Sequence, residues 1–184
     1  MPKDKTHEPL RLDVQRIRAD AREQMGSGAI TAAYHADREQ VIAVLNAALA
    51  TELVCVLRYK NHHFMATGIH AQSVAQEFLE HASEEQAHAD SIAGRINQLG
   101  GVPNFNPEGL VTRSHSEYHE GTTIEAMLRE NLVAERIAIE TYAYIVRWLG
   151  DDDTTTRRLI EDILKMEEEH ADDLANLLKG IARG

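Results

Sequence analysis

The stretch that decides the fold is residues 163–174, ILKMEEEHADDL, in which Glu167 and His170 stand three positions apart within a run of helical periodicity. Residues three apart lie on the same face of an α-helix. The same pair occurs earlier in the chain as Glu85 and His88. Two such pairs predict a helical protein in which carboxylates and imidazoles meet.

Four segments carry apolar stripes at helical spacing, and each stripe is interrupted by a glutamate. The stripes are Leu45, Leu49, Glu52, Val56, Tyr59 and His63; then Phe78, His81, Glu85, His88, Ile92 and Leu99; then Leu128, Leu132, Glu135, Ile139, Tyr142 and Val146; and finally Ile160, Leu164, Glu167, His170, Leu174 and Leu177. The first and third stripes have a lone glutamate, and the second and fourth have a Glu-x-x-His pair. The chain is therefore two copies of one layout.

The predicted helices have unequal connections. They span about 37–66, 71–99, 123–149 and 154–179, with Thr122 as the predicted cap of the third and residues 151–153 giving an acidic start to the fourth. A few residues join the members of each pair, so each pair should be an antiparallel hairpin. Between the pairs lies Gly100 to Gly121, which is long enough to run the length of a bundle. We predict an all-α four-helix bundle with one long crossover.

The composition limits the possible functions. The 184 residues are 43% apolar and 5% aromatic, which suits one helical domain. The net charge of −11 opposes sequence-independent binding to nucleic acid and suits a protein that attracts cations. Cys55 is the only cysteine, so we expect any metal to be held by oxygen and nitrogen.

The start of the chain is set apart from the bundle. We predict two regions, an extension at 1–34 with an amphipathic helix over Leu10 to Met25, and a bundle at 35–184. The extension has mixed charge, which favours a docking or capping segment over a nucleic-acid tail. We find no signal-peptide core and expect no membrane-spanning segment, so the prediction is a soluble, cytoplasmic protein.

Four buried carboxylates need positive charge between them. Each ionised group would lose its hydration and repel the others. Two divalent cations would balance the four glutamates, and two neutral imidazoles would add nitrogen ligands without charge. Carboxylate and imidazole ligands suit iron or manganese, with zinc as a substitute. The Glu plus Glu-x-x-His pattern is itself a known mark of ferritin-like di-iron and di-manganese proteins. The predicted ligands are Glu52, Glu85, His88, Glu135, Glu167 and His170.

These motifs resemble the bacterioferritin branch of the ferritin-like superfamily over about Val41 to Leu178. The matching pieces are LNAALATELVCVLRY, EEQAHAD, ENLVAERIAIE and MEEEHADDL. The resemblance implies a ferroxidase centre with two iron ions per subunit. It implies that Glu52 and Glu135 are terminal ligands, that Glu85 and Glu167 bridge the ions, and that His88 and His170 bind one ion each. Tyr59 falls where the family has a tyrosine beside the site, and it is equally well explained as a packed core aromatic.

Two departures from that branch change the expected assembly. Bacterioferritin binds haem through a methionine at the position that is Gln86 here, so we expect no haem. The chain ends soon after the fourth helix and has an added N-terminal segment, as in Dps-like proteins that carry a bacterioferritin-type site. A homo-oligomeric shell is expected, with a dodecamer favoured over a 24-subunit shell.

Three functions follow from these observations. The first is oxidation of ferrous iron by dioxygen or hydrogen peroxide, with storage of the ferric product in a shell. The second is a di-iron or di-manganese peroxidase, catalase or oxygenase that stores no iron. The third is a DNA-protecting shell, which the net acidity opposes.

Other polar residues receive structural interpretations. His81 and Glu84 border the inward face of the second helix, where contact with a metal ligand or a place at the surface is favoured over a transient iron site. The remaining histidines lack comparable partners and are predicted to be structural: His62, His63, His70, His115 and His119. Cys55 is predicted to be a small buried apolar residue.

Overall fold

The computed structural model describes residues 10–69 and 71–181, and every regular element within these ranges is helical. The elements are α1 Val14–Glu23, a 3-10 helix Met25–Ser27, α2 Arg38–Met65, α3 Ala71–Gln98, α4 Leu110–Arg113, α5 Ile124–Leu149 and α6 Thr154–Ile181. The four long helices agree with the predicted segments to within two residues at each end. The all-α fold class is confirmed. His70 lies outside the described residues.

The chain divides into two compact units, residues 1–34 and 35–184. In the first unit α1 begins after Asp13, whose carboxylate accepts a hydrogen bond from the backbone N–H of Arg16 at 3.0 Å. The helix is shorter than the predicted segment because this cap fixes its start and Gln24 closes its end. Large apolar side chains of this unit are exposed: Leu10, Leu12, Val14, Ile17 and Met25.

In the second unit the long helices pair as predicted. The most extensive contacts are between α2 and α3 and between α5 and α6, while α2 with α5 and α3 with α6 join the two hairpins. Tyr59 and Phe78 from the first hairpin pack in one core cluster with Leu128 and Leu174 from the second. The bundle interior is thus formed by all four long helices.

Short polar side chains cap the starts of α2, α5 and α6. Asp37 caps α2, and Asp153 accepts a hydrogen bond from the backbone N–H of Thr156 in α6 at 2.8 Å. The predicted cap of α5 was wrong by one residue, because Thr123, and not Thr122, accepts from the backbone N–H three positions on. An N-cap residue has extended backbone geometry, which Thr123 adopts.

Polar side chains along α2 hold the crossover by hydrogen bonds to its backbone. The pairs are Asn46 with Asn104, Thr51 with His115, Arg58 with Glu117 and His62 with His119, at 2.8, 3.0, 2.8 and 2.9 Å. His62 is therefore buried, whereas His63, which we placed on the inward stripe, is only half-buried and contacts the carbonyl of Ala75. At this end of α2 the buried face includes His62 in place of His63, because the crossover covers His62.

We expected no membrane-spanning segment, and one helix, α2, is long and apolar enough to be counted as one by length and composition alone. A window of 18 residues in α2 has a mean hydropathy of 1.9. Within the bundle 56% of that window is buried, and the buried side chains of α2 include Glu52, Arg58 and His62. The core helix of a bundle can be as long and apolar as a membrane-spanning helix because its apolar residues pack against the other helices.

Candidate metal centre

The six predicted ligands come together in the interior of the bundle. α2 supplies Glu52, α3 supplies Glu85 and His88, α5 supplies Glu135, and α6 supplies Glu167 and His170. All six side chains are buried. Each projects inward because it replaces an apolar residue on the face that its helix packs against the others.

The six side chains form two overlapping groups, in each of which the ligand atoms lie within 4.8 Å of one another. One group is Glu52, Glu85, His88 and Glu167, and the other is Glu85, Glu135, Glu167 and His170. Glu85 and Glu167 belong to both groups. Two neighbouring cation positions that share two carboxylates form the arrangement of a dinuclear site.

The imidazoles direct Nδ1 toward the carboxylates. Nδ1 of His88 lies 3.3 Å from Oε2 of Glu52 and 3.2 Å from Oε1 of Glu167. Nδ1 of His170 lies 3.4 Å from Oε1 of Glu85. Ligand atoms that bind one ion at about 2.1 Å and at right angles are roughly 3 Å apart. The spacing therefore fits ligands arranged around a common ion.

Several buried ligand atoms have no hydrogen-bond partner among the described residues. They are Oε1 of Glu85, Oε2 of Glu135, Oε1 of Glu167 and Nδ1 of His170. Buried polar atoms are normally partnered, and four orphan atoms in one place call for a ligand. All four are oxygen or nitrogen atoms, which suits iron, manganese or zinc. The residues of the centre therefore fit divalent cations.

The carboxylates and imidazoles of the centre compete for protons. Burial, together with the charge of Glu85, raises the pKa of Glu52 well above its usual value, and the same causes raise the pKa of Glu167. Burial alone would lower the pKa of His88, but hydrogen bonds and charge from Glu52 and Glu85 raise it to about 10. Burial would likewise lower the pKa of His170, but hydrogen bonding and charge from Glu85 raise it to about 9. Bound divalent cations would displace these protons.

Each lone glutamate accepts a hydrogen bond from a tyrosine of the opposite hairpin. The hydroxyl of Tyr59 donates to Oε1 of Glu135, and the hydroxyl of Tyr142 donates to Oε1 of Glu52. Sequence reasoning placed Tyr59 beside the site but gave Tyr142 no role there. The signal was present, since Tyr142 follows Glu135 by seven positions as Tyr59 follows Glu52.

His81 and Glu84 contact the centre through His170. The ring of His81 stacks on that of His170 with centroids 4.1 Å apart, and Oε2 of Glu84 lies 2.8 Å from Nε2 of His170. Nδ1 of His81 lies 3.2 Å from the hydroxyl of Tyr59. Burial, and then repulsion from His170, lower the pKa of His81 to about 3. Both residues orient the imidazole of His170.

Comparison with known proteins identifies the family. Residues 42–184 match the sequence profile of the ferritin family, described as a ferritin-like domain. The chain belongs to the ferritin-like family. The family assignment agrees with the resemblance seen in the sequence, and it includes all six side chains of the centre.

Relatives of this ferritin-like chain carry two kinds of name. It is 30% identical to a bacterioferritin of Desulfovibrio desulfuricans over 134 residues, 72% of this chain and 71% of that protein. It is 32% identical to a nutrient stress-induced DNA-binding protein of Synechococcus over 144 residues, 76% of this chain and 81% of that protein. Both kinds of relative align with most of the bundle.

A solved structure matches this ferritin-like chain with a TM-score of 0.78 and 35% identity. It is the bacterioferritin-related protein from Bacteroides fragilis, described as a dodecameric thioferritin. The match covers 81% of this chain and 90% of that one. The ferritin-like bundle fold is therefore shared over nearly the whole length of that relative.

Proposed function

We propose that this chain is a ferroxidase, which oxidises ferrous iron at a di-iron centre inside each bundle. The observation that carries the proposal is the pair of overlapping ligand groups, which share Glu85 and Glu167 and contain four buried atoms without hydrogen-bond partners. Family membership supports iron oxidation or storage as the general role. Zinc(II) gives up no electron and cannot be the reacting metal, and iron is favoured over manganese because family membership supports iron oxidation or storage.

The reaction balances with two iron ions. Each ferrous ion gives one electron, and dioxygen takes two electrons and two protons to become hydrogen peroxide. With hydrogen peroxide as the oxidant, two electrons and two protons give two molecules of water instead. Iron is the substrate, so a site that binds two ions side by side supplies both electrons in one turnover.

The side chains hold the ions and stabilise the product. Glu85 and Glu167 lie in both ligand groups and would bridge the ions, while Glu52 and Glu135 would be terminal ligands. Carboxylates stabilise the ferric state because it carries more positive charge. Tyr59 and Tyr142 fix the orientation of the terminal carboxylates by their hydrogen bonds.

Storage requires an enclosed space, which one bundle does not provide. We propose a homo-oligomeric shell of this chain in the cytoplasm, with a dodecamer favoured by the description of the Bacteroides fragilis relative. The apolar side chains of the N-terminal unit would serve contacts in that assembly. Native mass spectrometry of the full chain tests the shell, and a monomer or dimer would exclude storage.

The ferroxidase proposal is tested by mixing metal-free protein with ferrous iron in air and following ferric absorbance. We expect oxidation faster than in buffer, and a loss of at least about 100-fold in the Glu85→Ala variant. Glu80→Ala is the matched control, since Glu80 lies on the same helix and is exposed. A Glu85→Ala protein that folds and keeps the full rate would overturn the proposed centre.

Nucleic-acid binding is the second candidate, and the observation that favours it is the name of the Synechococcus relative. The net charge of −11 opposes it, because phosphate contacts require clustered lysine and arginine. We therefore expect no salt-sensitive retention of duplex DNA in a gel-shift assay. Tight retention that weakens steeply with salt would establish this second role.

A further inference from the structure

A second polar cluster lies next to the centre, between α3 and α6. Ligand atoms of Glu77, His81 and Asp173 are within 4.8 Å of one another. His81 is 3% exposed, Glu77 is half-buried and Asp173 is exposed. The cluster therefore extends from the interior of the bundle to its surface.

The hydrogen bonds of His81 determine which ring nitrogen faces this cluster. Tyr59 donates its single hydroxyl proton to Glu135, so its oxygen accepts the hydrogen bond from Nδ1 of His81 at 3.2 Å. Nε2 of His81 then lies 3.5 Å from Oε1 of Glu77 and makes no hydrogen bond to any described residue. The imidazole of His81, next to two carboxylates, provides with them the nitrogen and oxygen ligands that divalent transition metals prefer.

The cluster opens to solvent through a groove. A cavity of about 450 Å³ between the two helices has Glu77 and Asp173 in its lining. The lining also includes the apolar residues Val74 and Leu177, and its acidic side chains are Glu77 and Asp173. A cation that enters the groove meets these carboxylates first and His81 behind them.

The inner end of the cluster touches the centre. The ring of His81 lies 4.1 Å from the ring of His170, and His81 also forms a metal-ligand group with Glu84 and His170. His170 in turn belongs to the ligand group that contains Glu85. Consecutive groups share one histidine each, from the groove to the centre.

We propose that Glu77, His81 and Asp173 bind one divalent cation, and that this site passes ferrous iron from the groove to the di-iron centre. Binding at the cluster stands by itself, whereas the transfer of iron rests on the proposed ferroxidase function. Among the described residues the second hairpin has no equivalent of this histidine, because the position in α6 that corresponds to His81 is the buried residue Ile163.

Cobalt(II) is the probe for this site, because it binds the same ligands as ferrous iron and is stable in air. Crystals of the full chain are soaked in cobalt chloride, and anomalous scattering locates the ions, while equilibrium dialysis counts them in solution. We expect one cobalt ion per chain between Glu77, His81 and Asp173, in addition to those at the centre. The E77Q/D173N variant should lose this ion alone.

The matched control is E80Q/D172N, which removes the same charge from exposed positions on the same two helices. It should keep every ion that the unchanged protein binds. In stopped-flow mixing at limiting ferrous iron, we expect E77Q/D173N to oxidise iron about tenfold more slowly than this control. At saturating iron the two rates should converge, because the centre itself is unchanged.

The outcomes separate the two proposals. Cobalt at the centre with none at the cluster would overturn this inference and leave the ferroxidase proposal standing. Cobalt at the cluster with none at the centre would support the new site and overturn the ferroxidase proposal. Equal losses in E77Q/D173N and in its control would show a general effect of surface charge and would also overturn the inference.

Discussion

The two hairpins of the bundle agree at the centre and differ around it. Each supplies a lone glutamate, a tyrosine seven positions later and a Glu-x-x-His pair. At two neighbouring positions the hairpins carry different residues. His81 corresponds to Ile163 of the second hairpin, and Arg58, which precedes Tyr59, corresponds to Thr141, which precedes Tyr142.

This difference shows that positions facing the centre and positions beside it meet different requirements within one fold. A dinuclear centre needs matching ligands from both sides, so the positions that face it agree between the hairpins. The neighbouring positions carry no such requirement, and in the first hairpin Arg58 binds the crossover while His81 contacts Tyr59. The symmetry of the ligands therefore does not extend to their surroundings.

The largest expected effects test whether the two hairpins contribute equally to the centre. Glu85→Ala and Glu167→Ala each remove a ligand from both groups, so we expect each to lower ferrous oxidation by at least about 100-fold. Glu52→Ala and Glu135→Ala each affect one group, and we expect each variant to retain one tightly bound ion at the centre. Calorimetric titration with cobalt(II) measures how many ions each variant loses relative to the unchanged protein.

The comparison within each pair of variants is the control. If Glu85→Ala and Glu167→Ala differed in rate by more than about tenfold, the hairpins would not contribute equally. If Glu52→Ala lost both ions, the assignment of Glu52 as a terminal ligand would be wrong.

The next effect concerns Arg58, which has no counterpart in the second hairpin. Its Nε donates to Asn131 at 2.8 Å in the buried interior, and its Nη1 donates to the carbonyl of Glu117 at 2.8 Å in a partly buried position. Arg58→Ala leaves these acceptors without donors, and we expect it to lower the free energy of unfolding by about 3 kcal/mol. Thr141→Ala, at the corresponding position, should change it by less than about 0.5 kcal/mol. Urea denaturation followed by circular dichroism measures both, and equal effects would refute a special role for Arg58.

A smaller effect is expected for the two tyrosines. Tyr142→Phe removes one hydrogen bond to Glu52, and we expect oxidation to slow by about tenfold. Tyr59→Phe removes the bond to Glu135 and also the contact with His81, so it should slow oxidation more than Tyr142→Phe does. Initial rates at saturating iron provide the measurement. A larger loss in Tyr142→Phe would reverse the proposed difference between the hairpins.

The smallest effect concerns a clamp that joins the hairpins. Asp153 before α6 accepts from Nη2 of Arg95 in α3 at 2.9 Å and from the backbone N–H of Thr156 at 2.8 Å. Burial would raise the pKa of Asp153, but the hydrogen bonds from Thr156 and the charge of Arg95 lower it. We expect Asp153→Asn to lower the free energy of unfolding at pH 7 by about 1 kcal/mol.

This effect should depend on pH in one direction. Because the pKa of Asp153 is lower in the folded state, its carboxylate stabilises the protein above the unfolded value of about 3.9. The stabilisation is lost as the pH falls from that value through the folded pKa. Denaturation curves of Asp153→Asn and of the unchanged protein should therefore converge in acid. A difference that persists below the folded pKa would exclude this cause.

Part of the site could be predicted because its signal is local. The spacing of Glu85 and His88, and of Glu167 and His170, is a property of the helix, and so is the depth of Glu52 and Glu135 on their stripes. Tyr142 could have been found from the same repeat. His63 was placed inward by periodicity, whereas His62 is the buried residue because the crossover covers it.

The sequence by itself determined that this chain forms four long helices, that two of them pair on each side of a long crossover, and that six candidate ligand side chains face inward. Helical periodicity and loop length are encoded in neighbouring residues, so these features follow without knowledge of the packing. Only the tertiary structure decided that each tyrosine bonds the glutamate of the opposite hairpin, and that His81 stacks on His170 and faces Glu77 and Asp173. These contacts join residues far apart in the chain, and their partners depend on how the helices are rotated against one another.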